Sequence, residues 1–298
     1  MSGLALGLVV LSAVIHAAWN LLGKSRRPSP AFFAVASFGA GGLLLPLIVT
    51  VLGTAASLPG VFWWVLLGSG FCQMIYLASL ARAYQQADVG VVYPIARALP
   101  VLMVAVVSTL LGQSLPVLVW LGMGLVTVGC LLVPVVSFRH WRWQAYGQAG
   151  CVWALLAALG TAGYSVFDDR ALAIMAGHYP SFMAPALLAF TYLGMQFVVT
   201  GSWLMLWCCH REGRRQWRQS WADWRVALLT GVMMGGTYGL VLLAMSLTEN
   251  VSYVVALRQL SIPVGVGLGI WLLREPAHRP RLIGAGLVCA GLVAVSLK

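Results

Sequence analysis

An arginine sits inside an apolar run at residues 91–107, VVYPIARALPVLMVAVV. At the centre of a bilayer a guanidinium costs at least about 2.5–3.5 kcal/mol, so something nearby must compensate Arg97. The run begins beside Asp88. At 1.5 Å per residue, Arg97 is then roughly 13 Å deep, near the midplane. Arg258 is placed about as deep in a later apolar run, and a proline follows each arginine, Pro100 and Pro263. Snorkelling is difficult at that depth. The chain has only 7 Asp and Glu to offer as partners. A cavity-facing pair of guanidinium groups is the expected arrangement. Its chemistry is recognition of an acid through paired, charge-assisted hydrogen bonds.

Other polar side chains are spaced to share such a cavity. His16, Trp19 and Asn20 fall on one stripe of the first apolar segment. An imidazole there is a candidate to carry a coupling proton. Tyr76, Tyr93, Tyr164, Tyr238 and Gln259 lie well inside other segments, as do Tyr192, Tyr253, Gln73 and Gln196. Buried tyrosine hydroxyls need partners, and a shared cavity supplies them. The two prolines free the carbonyls of Ala96 and Gln259 from helical hydrogen bonds. Asp168 and Asp169 stand beside Arg170 and are expected at a solvated helix end. The stripe Gly231, Gly235, Gly239 is expected to let helices approach closely.

Several chemistries are excluded. The 6 cysteines lie in apolar runs without ligand spacing, so neither a metal site nor a disulfide framework is expected. No phosphate-binding loop of the Walker type is present. The histidines are scattered at 16, 140, 178, 210 and 278, and no Ser-His-Asp set accompanies them. No cofactor is expected, and an enzyme is not.

The elements that must position these residues follow from composition. Hydrophobic residues make up 61% of the 298 and charged residues only 8%, against about 25% charged in a soluble domain. An all-α integral membrane protein follows. The net charge of +11 falls in short blocks between apolar runs, a mark of orientation and not of nucleic-acid binding. The start of the chain lacks a positive leader region and reads as a retained first helix. Ten segments are long enough to span, at 3–23, 31–52, 61–81, 89–111, 117–138, 147–167, 182–209, 225–247, 251–273 and 279–297.

The halves repeat. HAAWNLLGK from His16 matches TAGYSVFDD from Thr161, RALPV matches RQLSIPV, and each half ends on a glycine-rich helix. The repeats are 1–140 and 141–298. Five helices is an odd number, so the second copy must enter from the opposite face, giving inverted repeats of the kind secondary transporters use. Loop charge supplies the orientation. Fourteen Lys and Arg lie in the loops of one side, from Lys24 to Arg281, against Arg170 and Lys298 on the other. The rich side is therefore cytoplasmic and both termini are outside.

These features together resemble the drug/metabolite transporter superfamily, in its EamA-type branch, over essentially the whole chain. The carriers of the resemblance are the two five-helix repeats, the pairs Trp19-Asn20 and Tyr164-Ser165, a proline in the fourth and ninth segments, and LLREP at 272–276. The matching site in the first half reads LLGQS, with glutamine in place of the acid. The resemblance implies a carrier of small metabolites, often an exporter. With two buried cations the expected solute is acidic or zwitterionic, such as an amino acid, bound between the repeats. The alternative is a broad exporter of aromatic or amphipathic compounds held by the tyrosines and tryptophans. The expected setting is the inner membrane, as a lipid-embedded multi-pass monomer with a small-molecule substrate.

Overall fold

A computed structural model describes residues 3–23, 29–54, 58–86, 89–138, 149–179, 183–209, 211–274 and 276–297. Residues 17–23, 54, 84, 85, 89–94, 149, 211–214, 272 and 273 are described by their backbone alone. All regular structure among the described residues is helical. A chain this apolar has few side chains to pair with its own backbone, and in lipid the helix pairs nearly every N–H and C=O internally.

The first half comprises α1 (Gly3–Gly23), α2 (Pro30–Leu43), α3 (Leu45–Thr54), α4 (Gly60–Gln86), α5 (Val89–Leu110) and α6 (Val117–Leu132). Ser29 starts α2 by accepting the Phe32 N–H at 3.2 Å. The α2–α3 pair is one apolar segment bent by 50°. Pro46 explains the bend, since it has no N–H to give and its ring crowds the carbonyl four residues back.

The second half comprises α7 (Ala149–His178), α8 (Pro185–Trp207), α9 (Arg211–Ala222), α10 (Trp224–Ser246), α11 (Val251–Leu257), α12 (Ser261–Leu273) and α13 (Arg279–Ser296). A 3-10 turn at Arg258–Leu260 separates α11 from α12. Among the described residues six helices are long and apolar enough to cross a membrane, or seven with the bent pair counted as one span. The shorter apolar helical stretches Gly3–His16, Ile95–Leu110 and Val117–Leu132 accompany them. Two elements differ from expectation. The sixth segment does not stop at the aspartates but runs on to His178. The seventh loop contains a helix, α9, whose Trp217 packs on the cluster of Val35, Ala36 and Ala227.

Packing repeats between the halves. α4 lies along α7, and its counterpart α10 lies along α1. α2 packs on α8 and α6 on α13, each element against its own repeat mate. Glycine makes the last contact possible. A Cβ on Gly129 would stand 2.6 Å from the Gly284 carbonyl oxygen, and one on Gly291 2.5 Å from that of Gly122. The two backbones are in direct contact, as small-residue stripes allow. Gly231 meets the Ala36 carbonyl of α2, and Gly239 meets Phe190 of α8, so the glycine stripe of α10 serves packing.

The repeat reaches the helix ends. Gly112 and Arg274 hold matching positions in LLGQS and LLREP, and both have positive φ, 89° and 53°. Outward-facing Trp64, Leu110, Val117, Leu121 and Trp271 make an apolar exterior that water would not tolerate over such an area. At one end of the bundle Arg82 of α4 lies 4.8 Å from the Trp153 ring of α7 and 5.4 Å from the Trp207 ring of α8. The end of α4, the start of α7 and the end of α8 therefore share one face.

Candidate functional site

Arg97 and Arg258 come from opposite halves of the chain and line one cavity, together with Tyr76, Pro100, Thr161, Tyr164 and Gln259. The local break in α11–α12 brings Arg258 there. Pro263 cannot donate to the Gln259 carbonyl, and the helix tightens into the 3-10 turn that carries Arg258 and Gln259. Pro100, by contrast, sits within an unbroken α5.

Ser261 ties the two arginines together. Its hydroxyl accepts from Arg97 Nη2 at 2.6 Å and donates to the Arg258 carbonyl at 3.0 Å. The Arg258 guanidinium lies 5.3 Å from the centre of the Tyr238 ring and within electrostatic reach of the Tyr164 hydroxyl. Tyr76, Tyr164 and Tyr238 form an edge-to-face ladder with centroids 5.9 and 5.6 Å apart. Arg258 Nη1, a donor, and Gln259 Oε1, an acceptor, are each buried here without a partner among the described residues. The Gln259 amide nitrogen donates to the Val255 carbonyl at 3.4 Å. The cavity measures about 20 Å³, room for little more than a water molecule.

His16 lies within electrostatic reach of both arginines. Of the remaining expected residues, Trp19 and Asn20 on α1 and Tyr93 on α5 have side chains outside the described ones. Tyr238 joins the site from beneath, through Arg258. Tyr192 and Gln196 do not line this cavity, and Gln73 accepts from Thr200 at 3.4 Å.

Tyr192 and Gln196 belong to a second polar cluster that the sequence did not reveal. Asp168 is fully buried within α7, not at a solvated helix end. Its Oδ1 accepts from Ser69 at 2.5 Å, from Tyr192 at 2.6 Å and from Gln196 Nε2 at 2.8 Å. Its Oδ2 accepts from Gln196 Nε2 at 3.0 Å and from the Tyr238 hydroxyl. The available signal was the apolar stretch ALAIMAG after Arg170, which continues the helix and leaves the acid inside it.

Helical repeats packed mate on mate, an apolar exterior, and a charged cavity between the halves together define a membrane carrier. The EamA-like transporter family model matches residues 3–134 and again 148–297. The chain belongs to that family, whose members are transporters. No curated protein matches it in sequence. Among solved structures, one titled only as the crystal structure of a protein aligns with a TM-score of 0.67 at 16% identity, over 97% of this chain and 96% of its own. That likeness concerns the fold.

Proposed function

We propose that this protein is a secondary transporter of a small acidic or zwitterionic metabolite, such as an amino acid, working by alternating access at the cavity between its repeats. One observation carries the solute class. An unpartnered donor on a guanidinium and an unpartnered acceptor on Gln259 line the same buried space. Leaving such groups unsatisfied costs about 1–3 kcal/mol each. A solute with an acid and an amine relieves both, the acid on Arg258 and Arg97, the amine on Gln259. The tyrosine ladder then holds the rest of the molecule. Trp19, Asn20 and Tyr93 belong to the same proposed lining. The setting is the inner membrane, with ten spans in two inverted halves, 1–140 and 141–298, acting as a monomer.

The aromatic ladder favours a second reading, a broad exporter of aromatic or amphipathic compounds. Charge preference separates the two. An amino acid and its amide are titrated against the purified protein at fixed salt. The amide is expected to bind about ten- to a hundredfold more weakly, the worth of a hydrogen bond to a charged group. Equal binding overturns the acid-reading site and leaves the exporter of aromatic compounds.

A further inference from the structure

Asp168 receives hydrogen bonds from four side chains on three other helices, Ser69 of α4, Tyr192 and Gln196 of α8, and Tyr238 of α10. None of these partners is basic. A carboxyl buried among apolar helices without a cation is costly, and such groups mark proton or ion pathways more often than scaffolding. The shell itself shows how two protonation states are served. As arranged, every partner donates, which suits a carboxylate. A neutral carboxyl has one O–H to give away and needs an acceptor. The cluster holds an unused one. Gln196 Oε1 is buried with no partner among the described residues, while Nε2 of the same amide stands 2.8 and 3.0 Å from the two carboxyl oxygens. Half a turn of the amide exchanges the two atoms and presents the oxygen to the acid.

We propose that Asp168 binds and releases the proton that couples transport, and that Tyr238 passes its state to the solute site. The proton comes from water and adds to a lone pair of a carboxylate oxygen, forming one O–H bond. It returns to water when the site opens on the other face, and no electron changes hands. Tyr238 touches both partners, giving its hydroxyl to Asp168 and its ring to Arg258. A charged Asp168 partly answers the guanidinium across that ring. A neutral Asp168 leaves the guanidinium free to answer an incoming acid. Proton loading and acid binding then favour each other, and by linkage each does so equally.

The helices packed against α7 bring several other titratable or charged groups. They are Cys72 and Tyr76 from α4, Arg97 from α5, Tyr192 from α8, Tyr238 from α10 and Tyr253 from α11. Asp169 and Arg170 are on α7 itself, and Arg258 and His16 lie beyond Tyr238. Protonating His16 would set a third cation beside two arginines, whereas protonating Asp168 removes a charge from hydrocarbon. As a statement about coupling, the proposal rests on the transporter assignment and not on the identity of the solute.

Infrared difference spectra of the purified protein through a pH titration test it without any solute. The expected result is a carbonyl-stretch band of an unhydrated carboxylic acid that grows as pH falls. It is absent from Asp168→Asn, retained in His16→Gln, and unchanged when choline replaces sodium. If Asp168→Asn does not fold, Tyr238→Phe keeps the ring, removes one donor and is expected to shift the titration midpoint. A band that survives Asp168→Asn, no titrating band in the unaltered protein, or a midpoint indifferent to Tyr238→Phe overturns the proposal. So does loss of the band in His16→Gln, or a midpoint that follows sodium concentration. The solute reading stands or falls separately, on the amide comparison.

Discussion

A guanidinium held over an aromatic face is tolerated where it is, but not neutralised. That is the situation of Arg258, with Tyr238 beneath it, Tyr164 beside it and Nη1 unpartnered. Arg258→Gln therefore removes a burial cost along with the charge. The variant is expected to fold with an unchanged or raised thermal midpoint and to bind an acidic solute at least about tenfold more weakly. Arg97→Gln is expected to lose binding in the same way, with some loss of order at Ser261. A structural ion pair would behave oppositely, since stranding its partner costs about 3–5 kcal/mol. Thermal melts beside binding titrations decide the matter. Unfolded variants whose residual protein still binds would make the arginines scaffolding.

Close approach at the element scale depends on the absence of a single atom type. α6 and α13 touch backbone to backbone where Gly129 faces Gly284 and Gly122 faces Gly291. Gly129→Leu would force the helices apart and is expected to cost about 1–3 kcal/mol or more, as overpacking does. Gly124 lies on the same helix, and a Cβ added there would meet nothing within 4 Å, so Gly124→Leu is expected to be near neutral. Thermal midpoints of the two variants in one detergent check the contrast. The prolines teach a related lesson. Pro100 and Pro263 look alike in sequence, yet only the second is accompanied by a break, the 3-10 turn at Arg258–Leu260.

Over the whole molecule the Lys and Arg of the connections divide fourteen to two between alternate loops of the sequence. Arg82 bridges Trp153 and Trp207 at one end of the bundle, and α9 adds basic residues in the seventh loop. Tryptophans mark either interface, and the excess of Lys and Arg favours the cytoplasmic one. Both termini are then expected outside. Alkaline phosphatase fused after Lys298 should be active, and a fluorescent protein at the same point dark. A bright fluorescent fusion without phosphatase activity reverses the orientation.

Composition alone determined the solvent, because a chain with so few charges cannot cover itself in water. Internal likeness, RALPV with RQLSIPV and LLGQS with LLREP, made the two-repeat architecture legible before any coordinate, since a repeated fold needs repeated helix-ending and helix-breaking residues. It also marked Arg97 and Arg258, because a cation in an apolar run is conspicuous in one dimension. Asp168 was not legible in that way. Its counterpart in the first half is Gly23, so the repeat gave no signal, and with Asp169 and Arg170 beside it the acid looked like a helix end. Its four partners lie on α4, α8 and α10, between 24 and 99 residues away. Only the tertiary structure could gather donors that distant around one carboxyl, because hydrogen bonding acts over a few ångströms of space and is indifferent to distance along the chain.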